Sequence, residues 1–126
     1  MSVRSKLFSA VNISSVLTKA PGGIHAGGSL TGAPVTRPFI VYRVQVEDPA
    51  LRGDDGDEAT RTTAEFWVYD DPGTYTRVED VLATLKTVLA SVTSLRCTWL
   101  GTSPELSDDQ MKAIVKYATF QIGDLS

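Results

Sequence analysis

The chain has 126 residues, a length that suits one domain and is too short for two, and its hydrophobic content of 42% supports a packed core. A net charge of −3 argues against nucleic-acid binding, which normally depends on a basic patch, and no apolar run reaches the roughly 20 residues that span a bilayer. The single cysteine, Cys97, excludes an internal disulfide, fits a reducing compartment and suits the role of a small buried hydrophobe.

The N-terminal segment predicts a short amphipathic helix that Ser2 caps and that continues to about Val11. Its inner face carries Val3, Leu7, Phe8 and Val11. Basic residues before an apolar stretch faintly resemble a signal peptide, but polar residues interrupt that stretch and no small-residue cleavage site follows. Glycine and proline then predict a loop over residues 20–38, with a brief extended piece at Ile24.

Two strands joined by a long acidic connection come next. Residues 39–46 alternate: Arg43 and Gln45 point away from an apolar face made of Ile40, Tyr42, Val44 and Val46. Residues 60–69 are rich in the β-branched and aromatic side chains that a pleated, partly buried surface favours. The pair predicts an antiparallel hairpin with a long loop over residues 47–58. Loops of about a dozen residues without structure of their own are uncommon and tend to be functional or disordered.

A turn at residues 70–73 leads into the longest predicted helix, because proline cannot extend a strand ladder and glycine tolerates turn dihedrals. Apolar residues recur at three- and four-residue steps: Tyr75, Val78, Val81, Leu82, Leu85, Val88 and Leu89. Thr76 and Glu79 have the spacing of a capping box. The alternative start has Asp71 as the cap and Pro72 at the first helical position.

The C-terminal part predicts a strand at residues 95–100, a polar turn at residues 104–109 and a final strand at residues 111–122. One face of the final strand carries Ile114, Ala118, Phe120 and Ile122, with only Lys116 between them. The elements together predict an α+β fold: an antiparallel sheet of about four strands with two helices packed on one face, in a single domain over residues 1–126. We expect the final strand, which only Lys112 and Lys116 protect by charge, to be a sheet edge that pairs or packs against another copy; the alternative is a protected edge in a monomer.

Signatures of catalysis are missing from the sequence. His25 is the only histidine, which excludes two-histidine metal sites. A Ser-His-Asp triad would have to use this histidine, which lies in a glycine-rich segment. Residues 23–29 have glycines at phosphate-loop spacing but lack the lysine that reaches the phosphates. The carboxylates of residues 54–58 do not follow the ligand pattern of a calcium loop. We therefore expect no catalytic residue, no cofactor and no metal site, and a protein that is not an enzyme.

The acidic connection is the strongest surface signal in the sequence. Residues 47–58 hold six acids and one base, a charge of −5, whereas the remainder of the chain carries +2. The simplest interpretation is a loop that its charge keeps soluble; the sharper one is a loop that a partner orders on binding. The candidate channel-facing or partner-facing residues are Asp54, Asp55, Asp57 and Glu58.

In their order and their residue patterns, these segments resemble the tail terminator (tail completion) proteins of long-tailed bacteriophages, the siphophages. The resemblance spans nearly the whole chain. It is carried by the short N-terminal helix, the glycine-rich segment that ends in residues 37–42, the strand at residues 62–69, the turn at residues 71–75 with the helix at residues 78–89, and the closing residues 116–122.

The resemblance implies a structural virion protein that performs no chemistry. Such proteins are α+β subunits of a ring, usually a hexamer, that binds the head-proximal end of the tail tube, ends polymerisation of the major tail tube protein and offers a joining surface to the head–tail connector protein. The ring is assembled in the host cytoplasm. DNA passes through its central hole without specific binding, and an acidic loop facing that channel would repel the phosphates.

Two alternatives stay open at this point. The first keeps the phage setting but makes the chain a neck or head-completion connector on the portal side. The second is a small non-phage domain that binds a ligand or peptide, or an enzyme whose chemistry comes from a partner. Oligomer size, binding to tail tubes or to portal complexes, and a deep pocket containing His25 distinguish these possibilities.

Overall fold

The fold is known from a computed structural model, which describes residues 2–27, 36–47, 61–73, 75–110 and 112–124. These residues form three helices and six strands. In chain order they are α1 (Val3–Val11), α2 (Ser14–Leu17), β1 (Ile24–Ala26), β2 (Phe39–Glu47), β3 (Arg61–Asp70), α3 (Thr76–Ala90), β4 (Leu95–Thr102), β5 (Leu106–Asp108) and β6 (Ala113–Asp124).

All six strands belong to one sheet, with the order β1-β2-β3-β6-β4 and with β5 paired to β6. β1 runs parallel to β2 and every other pair is antiparallel, so the sheet is mixed. The prediction of about four antiparallel strands and two helices is therefore wrong. The additional elements β1, β5 and α2 have three or four residues each, too few for a periodic pattern to reveal them.

The predicted hairpin and its two strands are confirmed. β2 and β3 pair antiparallel over their full length, from Phe39 opposite Tyr69 to Glu47 opposite Arg61. The extended piece expected at Ile24 is confirmed as β1, and its three residues pair with residues 40–42 of β2. The polar turn expected at residues 104–109 contains β5, which pairs with residues 113–115 at the start of β6.

The final strand does not lie at an edge, contrary to prediction. β6 pairs with β3 on one side and with β4 and β5 on the other, so it occupies the interior of the sheet. Its two faces explain the position: Ile114 and Phe120 are buried on one face and Val115 on the other, a pattern typical of a strand covered on both sides. Among the described strands, β1 forms one end of the sheet, and β4 with the short β5 forms the other.

The helices cover one face of the sheet and share its core. As predicted, Ser2 caps α1 by accepting a hydrogen bond from the Ser5 N–H, and the apolar stripe of α3 is buried. The core combines helix residues with alternate residues of β2, β3 and β6; the largest are Leu7, Leu85, Leu89, Ile40, Phe66 and Phe120. Burying one such side chain stabilises the fold by about 1.5–3 kcal/mol.

The start of α3 differs from both predicted caps. The helix begins at Thr76, and the residue in the cap position, Tyr75, makes no side-chain capping hydrogen bond. The Tyr75 hydroxyl instead donates to the Leu106 carbonyl at 2.6 Å, which ties the helix start to β5. The buried Asp70 carboxylate accepts from the Arg77 guanidinium and from the Asp71 N–H, so an ion pair fixes the entry into the helix.

The other face of the sheet carries a second, smaller apolar cluster. Phe39 and Val115 are buried there, outside the main core, and the Phe39 ring stacks on Tyr69 with centroids 4.9 Å apart. Beside them Trp67 stacks on Tyr117 at 4.2 Å. Both faces of the sheet are thus partly apolar, although α1 and α3 cover only one of them.

Candidate functional site

The outer strand β4 carries two of the three exposed large apolar side chains in the described part of the chain. No other described strand pairs with its outer edge. Trp99 is 45% exposed and Leu100 is 53% exposed. The pairing with β6 slips between Trp99 and Gly101, a bulge-like irregularity that interrupts the regular ladder. The bulge and the charge of Arg96 are features that protect natural sheet edges, whereas two large exposed apolar side chains on the same strand indicate a contact surface.

On the helix side, β4 borders an open groove of about 300 Å³. Its floor and walls come from α3, β4 and β6 and consist of Glu79, Leu82, Ala83, Lys86, Trp99, Thr102, Lys116 and Ala118. The Trp99 indole N–H donates to the Thr102 hydroxyl at 3.2 Å, which holds the ring against its own strand. The groove therefore has an apolar base of ordered side chains with charged groups along it.

Two lysines give the groove its charge, and they differ in their environment. The Lys116 side chain is only 13% exposed, and its ammonium lies 3.1 Å from the Glu79 carboxylate. The Lys86 ammonium lies 3.9 Å from the centroid of the Trp99 ring, a cation–π contact. Among the described residues no carboxylate lies within ion-pair distance of Lys86. Lys86 is thus the cation that the groove offers to a ligand or partner.

On the opposite side of β4, Leu100 borders a shallow depression of about 420 Å³ that extends to Ser103, Pro104 and Tyr117. Tyr117 continues into a row in which its ring stacks on Trp67 and the Arg43 guanidinium lies 5.3 Å from the centroid of the Trp67 ring. Tryptophan, tyrosine and arginine are the residues most enriched at binding hot spots. The exposed edge of β4 therefore separates two concave, partly aromatic surfaces.

The acidic residues predicted from the sequence, Asp54, Asp55, Asp57 and Glu58, lie outside the described residues. The structure does show where their segment is attached, at the end of β2 and the start of β3. Their role as a channel-facing or partner-facing loop stays a prediction.

His25 and Cys97 occupy ordinary structural positions. The His25 Nε2 lies 2.9 Å from the Gly22 carbonyl, and its ring packs edge-on against Phe39. Cys97 is half-buried against the core, less covered than a small buried hydrophobe, and burial raises the pKa of its thiol. Within the described ranges no cluster of three or more metal-ligating side chains occurs, and no helix is long and apolar enough to cross a membrane.

Sequence reasoning missed Trp99, Leu100 and Lys86 as site residues, although one signal was present. Two large apolar residues in succession on a strand must project to opposite faces, so one of them leaves the core face. The cation–π contact joins residues 13 positions apart and has no sequence signature.

Comparisons with known proteins do not assign the site either: no family model matches the chain, and no curated protein matches it.

Proposed function

We propose that this chain is the subunit of a ring that caps the head-proximal end of a siphophage tail tube, ends tube polymerisation and provides the joining surface for the head. The observation that carries the proposal is the bare outer edge of β4, with Trp99 and Leu100 exposed on a strand of eight residues. The resemblance to tail terminator proteins supplies the biological setting, and the edge supplies a means of assembly.

The strand directions favour a head-to-tail contact between copies. β1 is parallel to β2, and the steps from β2 to β3, β6 and β4 are all antiparallel, so β4 runs opposite to β1. If the β4 edge of one copy meets the β1 edge of the next, the two strands are antiparallel, the geometry with the more stable ladder. A contact between two different surfaces generates a ring when its rotation closes.

The proposed role requires a rigid body and no catalytic group. A sheet backed by α1 and α3 gives such a body, and its two outer strands, β1 and β4, would supply the contacts to neighbouring subunits. The major tail tube protein and the head–tail connector protein would bind the two rims of the ring. DNA would pass through the central hole without specific binding, consistent with the net charge of −3.

Mass measurement and electron microscopy test this function. Purified protein, alone and mixed with tail tubes of the parent phage, is measured by analytical ultracentrifugation and imaged. We expect rings of about six copies, at least at tube ends. Trp99→Ser combined with Leu100→Ser should abolish the rings while the protein stays folded. Ile13→Ser, which removes an exposed apolar residue between α1 and α2, serves as the control.

A protein that stays monomeric with tail tubes present would contradict the proposal. Binding to portal complexes but not to tubes would instead place the chain at the neck, on the head side of the joint. Rings that form equally well without Trp99 and Leu100 would leave the β4 edge without a role in assembly.

A further inference from the structure

We propose that the groove between α3 and β4 binds the acidic segment, residues 47–58, of a neighbouring copy. The inference rests on the ring assembly proposed above and names the contact that gives the ring its charge complementarity. The groove supplies Lys86 on the Trp99 ring, and the segment supplies carboxylates.

The groove is suited to a short acidic stretch of chain. Lys116 already pairs with Glu79, so Lys86 is the groove's cation for pairing with a further carboxylate. Its position over Trp99 fixes the ammonium beside an exposed apolar ring, where one residue can bind the charge while a neighbour covers the indole. A volume of about 300 Å³ accommodates a few side chains and not a folded element.

The acidic segment has the complementary composition. Residues 47–58 carry −5, and the remainder of the same chain carries +2. Between identical copies this imbalance makes segment-to-body contacts attractive and segment-to-segment contacts repulsive. Leu51 and Ala50 lie within the segment and can cover the Trp99 ring without adding charge.

The sheet order brings a neighbour's segment as close to the groove as the chain's own segment. The segment joins β2 to β3, and β3 lies two strand steps, about 10 Å, from β4 within one copy. In the head-to-tail contact proposed above, the β1 end of one copy meets the β4 end of the next. The neighbour's segment is thereby carried to the groove at the interface.

A peptide-binding experiment tests the groove independently of the ring. Trp67→Phe leaves Trp99 as the single tryptophan of the full chain, and a synthetic peptide of residues 47–58 is titrated against its fluorescence. We expect saturable binding that weakens at least about tenfold with Lys86→Glu, because like charges then face each other. Lys19→Glu, the same charge change at a residue that follows α2 and does not line the groove, should leave binding unchanged. A peptide with amides in place of its acids should not bind. Equal binding to the Lys86→Glu protein, or no binding at all, would overturn the inference.

A mixing experiment tests whether the contact joins two copies. Lys86→Glu alone, and reversal of Asp54, Asp55, Asp57 and Glu58 to lysine alone, should each prevent ring assembly on tail tubes. Mixed in equal amounts they should restore it, because each variant's groove then matches the other's segment. Rescue only when all five changes share one chain would place the contact within a single copy and refute the proposal. Rings formed by Lys86→Glu alone would refute it while leaving the ring function intact; failure of the unaltered protein to assemble would refute the ring itself.

Discussion

The ion pair at the entry to α3 makes a quantitative prediction. Asp70 is 1% exposed and Arg77 is 56% exposed, and the guanidinium donates two hydrogen bonds to the carboxylate. This pairing also raises the pKa of Arg77. Arg77→Met keeps the aliphatic stem but leaves the Asp70 carboxylate with the Asp71 N–H, at 2.7 Å, as its remaining partner among the contacts described above. Two charge-assisted bonds are together worth about 3–6 kcal/mol as an upper limit.

Water at the exposed guanidinium position will replace part of that loss, so we expect destabilisation by about 2–3 kcal/mol. That corresponds to a fall of roughly 10 °C in Tm for a chain of this length. Urea unfolding followed by circular dichroism measures the free energy of unfolding directly. The matched control is Lys19→Met, which breaks the exposed Lys19–Asp80 pair and should cost less than about 1 kcal/mol. Equal costs for the two variants would show that burial of Asp70 does not decide the strength of the pair.

Four further predictions concern single positions. Phe66→Ala should cost about 3–5 kcal/mol in urea unfolding, because its ring is fully buried between α3 and the sheet. Gly22→Ala should lower Tm, since a Cβ there would lie 2.2 Å from the Thr36 carbonyl oxygen. Lys112→Gly should raise stability by up to about 1 kcal/mol, because Lys112 has a φ of 51°. Burial raises the pKa of Cys97, so its alkylation rate should reach half-maximum at a higher pH in the native than in the urea-unfolded protein. By the same shift, the thiol's contribution to stability is complete below the unfolded pKa and disappears as pH rises through the folded pKa.

The elements with long periodic patterns were predictable from the sequence. The apolar stripe of α3 extends over four turns, and the alternation in β2 and β3 covers nine or ten residues, so each pattern identifies its element and its buried face. Ser2 was identifiable as a cap because serine at that position has a specific hydrogen-bonding role. Local chemistry was sufficient in each of these cases.

Position within the sheet was harder to predict, because strand order depends on contacts between distant residues. β6 was expected at an edge, although apolar residues on both of its faces, such as Val115 and Phe120, are typical of an interior strand. β1 and β5 owe their strand geometry to partners already in the sheet. The groove at Trp99 was hard to predict for the same reason. It forms only because β4 is the outer strand and α3 packs beside it, and both facts depend on contacts between distant residues.

The interior position of β6 has a consequence for synthesis of the protein. β3 and β4 do not pair with each other, and within the sheet they are linked through β6, which comes last among the described strands. A growing chain therefore carries the β2–β3 hairpin with one side of β3 unpaired until residues 71–124 have been translated, about 3 to 10 seconds at usual elongation rates. During that interval the unpaired side of β3 is open to pairing with other nascent chains, so misassembly at this strand competes with completion of the sheet.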